Sequence, residues 1–197
     1  MSEGVQFDDR GRANPAQRIS TGELAELCGL DPGGLPDRLP DPDPGQDPAL
    51  RDQFVEQLTV MQSPPAAAGT LHVLDAWTAM GGRLVYGTAG ETSCLLLANA
   101  ADRPGGDLWP AAIYPSGKFE VVFQYLRTRP PFESLELREA LRQKLNQLAT
   151  VDLPAAKIEL RPGIDLGLLA DDSERDQLIA VLAWFREHAV VRTPAAA

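Results

Sequence analysis

Cysteine-based nucleophilic catalysis needs a thiol, a base to take its proton and a group to orient that base. In this chain His72 precedes Asp75 by three residues, so both fall on one face of a helix. Cys94 could approach them from a neighbouring strand, which makes Cys94–His72–Asp75 the one conceivable nucleophilic set. The residues around Cys94 argue the other way. It stands beside Leu95, Leu96 and Leu97, and a cysteine in such company is usually an inert small hydrophobe. The other histidine, His188, lies near the end of a predicted final helix, where its proton suits the negative end of the dipole.

Other motifs fall short of the chemistry they suggest. Gly87-Thr88-Ala89-Gly90-Glu91 has the outline of a phosphate loop, which needs Lys and then Ser or Thr after its second glycine. Glu91 would instead repel phosphate, so the segment reads as a hairpin turn. A nuclease core of the restriction type needs Asp and then Glu-x-Lys, to hold magnesium and stabilise charge. Lys118-Phe119-Glu120 and Lys157-Ile158-Glu159 are both reversed. Asp37, Asp41, Asp43 and Asp47 are closely spaced, but no glutamate closes the set as in a calcium loop, and interleaved prolines fix its shape. No Cys-x-x-Cys or His-Glu-x-x-His spacing is present, so no metal or cofactor is implied.

The elements that must position these residues follow from hydrophobic period and turn chemistry. Residues 1–68 read as a proline-rich, acidic arm. It has a short helix after Ser20 and a second from Pro48, with Leu50, Phe54, Leu58 and Met61 on one stripe. Ala66-Ala67-Ala68-Gly69 reads as the boundary to a main domain over 69–197. Thr70 is expected to cap a helix carrying Leu71, Leu74 and Trp77, which Gly81-Gly82 ends. Four strands are predicted over 83–86, 92–98, 109–114 and 118–125, with Pro115-Ser116-Gly117 as a hairpin turn. A helix from Ser134, a fifth strand over 157–160, and a helix opened by Ser173 and Asp176 complete the order. The class is α+β: a mostly antiparallel sheet of four to five strands with helices packed on one face.

Charge narrows the partners. The chain has 28 acids and 18 bases, a net of −10, and a pI near 4.6. That balance disfavours phosphate backbones and anionic membranes. Residues 1–68 carry 12 acids against 5 bases, while 69–197 carry 16 against 13. Arg127, Arg129, Arg138, Arg142 and Lys144 stand out locally. Arg138 and Arg142, four apart on a helix, are a costly like-charge pair unless an anion or an acidic partner lies against them. The longest mostly apolar run, 94–101, is far below the roughly 20 residues of a bilayer span. The first residues lack a secretory pattern, and two cysteines suit a reducing compartment. The expected location is the cytoplasm.

Two resemblances add to this reading. Ile19-Ser20-Thr21-Gly22-Glu23-Leu24-Ala25-Glu26-Leu27-Cys28-Gly29-Leu30-Asp31-Pro32 resembles the first helix and turn of helix-turn-helix regulators such as the mercury-resistance-regulator family. The groove-reading helix of that family corresponds here to 33–39, which holds one arginine and a central proline. Over 70–190, Val121-Val122-Phe123-Gln124-Tyr125-Leu126, Pro130-Pro131-Phe132, Arg138, Leu145-Asn146 and Arg161-Pro162 resemble uncharacterised domains attached to bacterial restriction and defence proteins. That resemblance implies an accessory recognition domain. The combined expectation is a non-enzymatic binding module for a protein partner or an anionic ligand, with a homodimer as an open possibility. Arg127, Arg129, Arg138, Arg142 and Trp109 are its contact residues. The alternatives are a small enzyme using Cys94, His72 and Asp75, and a DNA-binding regulator.

Overall fold

A computed structural model describes residues 48–98 and 108–189. The helix-turn-helix-like segment, Cys28 and the acidic aspartates 37–47 lie outside them. The described chain runs α1 (Pro48–Met61), α2 (Pro64–Ala79), β1 (Arg83–Tyr86), β2 (Cys94–Leu97), β3 (Ala111–Tyr114), β4 (Lys118–Val121), the single turn α3 (Phe123–Leu126), α4 (Leu135–Leu145), β5 (Gly163–Asp165) and α5 (Asp172–Ala189). Short 3-10 turns occupy Ala155–Lys157 and Leu166–Ala170. The expected α+β class holds.

The five strands form an antiparallel meander in chain order, β1-β2-β3-β4-β5. Directly opposed residues share a face, so Tyr86, Cys94, Ile113, Phe119 and Ile164 form one row across the sheet. That row is buried and belongs to the main core. Gly117, at φ 113°, closes the β3–β4 hairpin where the turn needs a left-handed residue.

Two elements depart from the sequence reading for clear reasons. The apolar alternation of β4 continues through Phe123 and Tyr125, yet the strand ends at Val121. Both flanking strands stop there at prolines, with Val122 N–H donating to Pro110 and Val121 N–H to Pro162. Beyond them, among the described residues, a single bond remains, from Gln124 N–H to Leu160 O, and the chain turns helical and buries Phe123 and Leu126. The strand expected over 157–160 is instead part of a turn, with Ile158 buried and Leu160 exposed. The edge strand lies at Gly163–Asp165, too short to show a period.

The Ala66–Gly69 stretch is not a linker. Pro64 and Pro65 occupy the first helical positions of α2, where a missing amide costs nothing. Ala66, Ala67, Gly69 and Thr70 are all buried on that helix, and the Thr70 hydroxyl donates to Ala66 O rather than capping an end. The C-terminus is as expected. Gly81, at φ 84°, and Gly82 donate to Thr78 O and Trp77 O, the pattern that closes a helix with a left-handed glycine. The last helix is capped by Asp171, which accepts from Ser173 and Glu174 N–H, and not by Ser173.

Phe54 and Leu58 of α1, read from sequence as part of the arm, are fully buried in the same core, with the Phe54 ring 5.5 Å from Tyr86. Gln57 pins the β1–β2 loop: its amide donates to Gly90 O and its carbonyl accepts from Thr92 N–H. Glu91 accepts from Ser116 N–H. The glycine-rich segment is therefore a hairpin loop held by its neighbours. Among the described residues no helix is long and apolar enough to cross a membrane.

Candidate functional site

The candidate thiol is enclosed. Cys94 has no solvent exposure, and burial pushes its thiol up to about 12 against a smaller downward pull from the Tyr86 hydroxyl. His72 and Asp75 lie on the exposed side of α2, whose inner face is made by Val73, Leu74 and Trp77. The structure does not bring the three together, and no hydrogen bond joins them among the described residues. Burial thus keeps the Cys94 thiol protonated at neutral pH. In a Cys28→Ser chain, a thiol reagent should therefore label Cys94 no faster than the protein unfolds. Labelling within seconds under native conditions would show a reactive thiol.

The arginines divide into two groups. Arg138 is buried in α4 and donates to Phe132 O at 2.9 Å, Glu133 O at 2.8 Å and Glu159 at 3.1 Å. Arg142 donates to both Glu139 oxygens and to Leu153 O. The counter-charges that their spacing demands come from Glu139 and Glu159 within the chain, so these two hold the fold together rather than await an outside anion. Their carboxylates respond in kind. Hydrogen bonds from Arg142 and then Gln143 hold Glu139 at about 2, and the Arg127 hydrogen bond lowers Glu159.

A depressed carboxyl stabilises the fold above its ordinary value and loses that contribution as pH falls towards the folded one. For Glu139 the window runs from 4.5 down to about 2. Urea midpoints should fall across that range, and Glu139→Gln should flatten the fall. An unchanged slope in the variant would show that the pair contributes nothing.

Arg127 and Arg129 follow α3 at the surface. Arg127 is half exposed and pairs with Glu159 at 3.0 Å. The Arg129 guanidinium lies 4.8 Å from the Tyr125 ring centre, a cation–π contact. On Tyr125 stacks Trp109, with ring centres 3.8 Å apart and planes 26° apart. These side chains meet because Trp109 leads into β3 while Tyr125 sits in the helical turn after β4, and β3 and β4 are paired. A cleft of about 310 Å³ opens here, lined by Trp109, Val122, Gln124, Tyr125, Thr128 and Arg161. The Trp109 indole N–H is buried and has no hydrogen-bond partner among the described residues.

Arg161 entered the sequence reading only through a resemblance, with no role assigned to it. It and Lys118 both bond Glu120, a carboxylate only 7% exposed, which Tyr114 O–H also approaches at 3.3 Å. Burial pushes the Glu120 carboxyl up, but the two cations outweigh it and hold it below its usual value. Lys118 and Glu120 are two apart on β4 and so share a face, the signal by which their pairing was legible. Reversed nuclease spacing is thus a structural ion pair. No group of three or more His, Cys, Asp or Glu among the described residues could hold a metal.

Trp109 and Arg129 of the expected contact set thus meet at Tyr125, near the start of β3 and the end of β4, whereas Arg127 pairs at the surface with Glu159, which Arg138 also holds, and Arg138 and Arg142 are absorbed into the packing of α4. No protein-family model matches this chain, and no curated protein or solved structure matches it either.

Proposed function

We propose that the chain is a non-catalytic interaction module that engages an acidic segment of a protein partner at the Trp109–Tyr125 cleft. The observation that carries this reading is the stacked Trp109–Tyr125 pair roofed by the Arg129 guanidinium and open to a cleft with Arg161. Tryptophan, tyrosine and arginine are the side chains that dominate binding hot spots, because they bring large rigid area and directed donors at modest entropic cost. The role fits an accessory recognition domain of a bacterial defence or regulatory system, as the resemblance over 70–190 implies.

The test is an array of Asp- and Glu-rich peptides, each with one aromatic residue, bound to the purified chain. Gln124→Glu puts a negative charge into the cleft from an exposed position, and Arg127→Glu reverses an exposed neighbour. Each should weaken the best binders by about tenfold or more, with the fold unchanged by circular dichroism. Absence of any binder, or binders indifferent to both substitutions, would refute the reading.

A further inference from the structure

The sheet ends on an open strand. In the β4–β5 ladder, Leu166 N–H donates to Gly117 O and Val121 N–H to Pro162 O. Antiparallel pairs alternate between bonded and non-bonded, so Ile164 turns its backbone groups to Phe119 while those of Gly163 and Asp165 point away from the sheet. Both residues are exposed, and among the described residues no backbone hydrogen bond reaches their outer side. Such an edge is a template for another strand.

That edge is not on a convex surface. It forms one wall of a cleft of about 870 Å³, whose opposite wall is the segment 150–153 and whose end is the start of α5. Among the described residues its lining includes the carboxylates Asp152, Asp165, Asp171 and Glu174 and no lysine or arginine. Asp165 and Asp171 also accept backbone N–H bonds, as does Glu174 from Ala149, and these contacts leave their charge in place. The nearest cations are engaged elsewhere: Lys118 with Glu120, Arg142 with Glu139, and Arg175 with Asp172.

We propose that this cleft is a docking groove for an extended, lysine- or arginine-bearing peptide of a partner protein, which adds to the sheet as a sixth strand beside β5. Backbone bonds to Gly163 and Asp165 supply the affinity, and the four carboxylates select basic side chains. The groove is separate from the Trp109 cleft and opposite to it in charge preference.

The experiment uses amide hydrogen exchange on the whole chain with a peptide of about eight residues alternating lysine and valine. Free protein should show Ile164 protected, with Gly163 and Asp165 exchanging openly. The peptide should protect both, and a version N-methylated at alternate residues or one with glutamate for lysine should bind at least about tenfold more weakly. Asp152→Lys, at an exposed position, should weaken the lysine peptide by about tenfold, whereas Gln124→Glu should leave it unchanged. The proposal is overturned if the peptide fails to bind, if it binds while Gly163 and Asp165 stay open, or if the methylated form binds equally well.

Discussion

Gly69→Ala is expected to lower stability by roughly 3 kcal/mol, although alanine is the better helix former. A Cβ at Gly69 would lie 1.9 Å from Leu169 O and 2.7 Å from Leu169 C, both backbone atoms. Neither can rotate aside, so the Leu166–Ala170 turn or α2 must shift as a body. That turn carries Leu166 and Leu169 into the core, and Leu166 is tied by its N–H to the β3–β4 hairpin at Gly117. The disturbance therefore reaches the sheet. The adjacent exposed position behaves oppositely: Ala68→Gly removes no contact and should cost about 1 kcal/mol by propensity alone. Urea unfolding of the two variants separates the explanations. A stabilised Gly69→Ala would mean that the close approach does not exist.

Arg138→Met should cost about 3 kcal/mol, and Arg138→Glu should cost more. The methionine keeps most of the buried stem but strands the carbonyls of Phe132 and Glu133, which now accept from the guanidinium. Those carbonyls fix the backbone that delivers Phe132 into the core, where its ring stacks on Phe185 at 4.2 Å and meets the Trp184 edge at 6.2 Å. Glu159 contributes less, because it is partly exposed and shared with Arg127. A double-mutant cycle should therefore give an Arg138–Glu159 coupling that is a small fraction of the Arg138→Met loss. A coupling near the full loss would place the stability in the ion pair instead of the carbonyl bonds. Arg138→Glu is in consequence a poor probe of surface binding, since any lost interaction would follow from lost packing.

What could be read from the residues alone was what local pattern controls. The α+β class followed from a period of four in α1, a period of two in β4, and turn chemistry at Gly81-Gly82 and Gly117. Errors arose where a neighbour in space decides. Val121 ends its strand because Pro110 and Pro162, distant in sequence, withdraw the ladder on both sides. Ala66 to Gly69 looks like a flexible joint until Leu169 is seen to press on it. Residues 163–165 are too few to alternate.

The candidate contact residues were legible by type but not by fate. Arg127, Arg129, Arg138 and Arg142 are chemically alike. Their separation into surface and interior depends on where Phe132 O, Leu153 O and Glu159 come to lie. Tyr125 was misassigned to a strand, so its stacking with Trp109 had no sequence signal. Arg161 lacked one too, being isolated between Leu160 and Pro162.

The account depends most on the Trp109 cleft meeting its partner directly, and the indole N–H resonances of a ¹⁵N-labelled chain report on that contact. Trp77 serves as an internal control, because its N–H is already bonded to Arg83 O at 3.2 Å beneath the core surface. Titrating the tightest acidic peptide should shift the Trp109 signal as the ligand alters the surroundings of its stacked ring, with the Trp77 signal fixed. A peptide that saturates the chain while the Trp109 signal stays where it was would place recognition elsewhere and contradict the account.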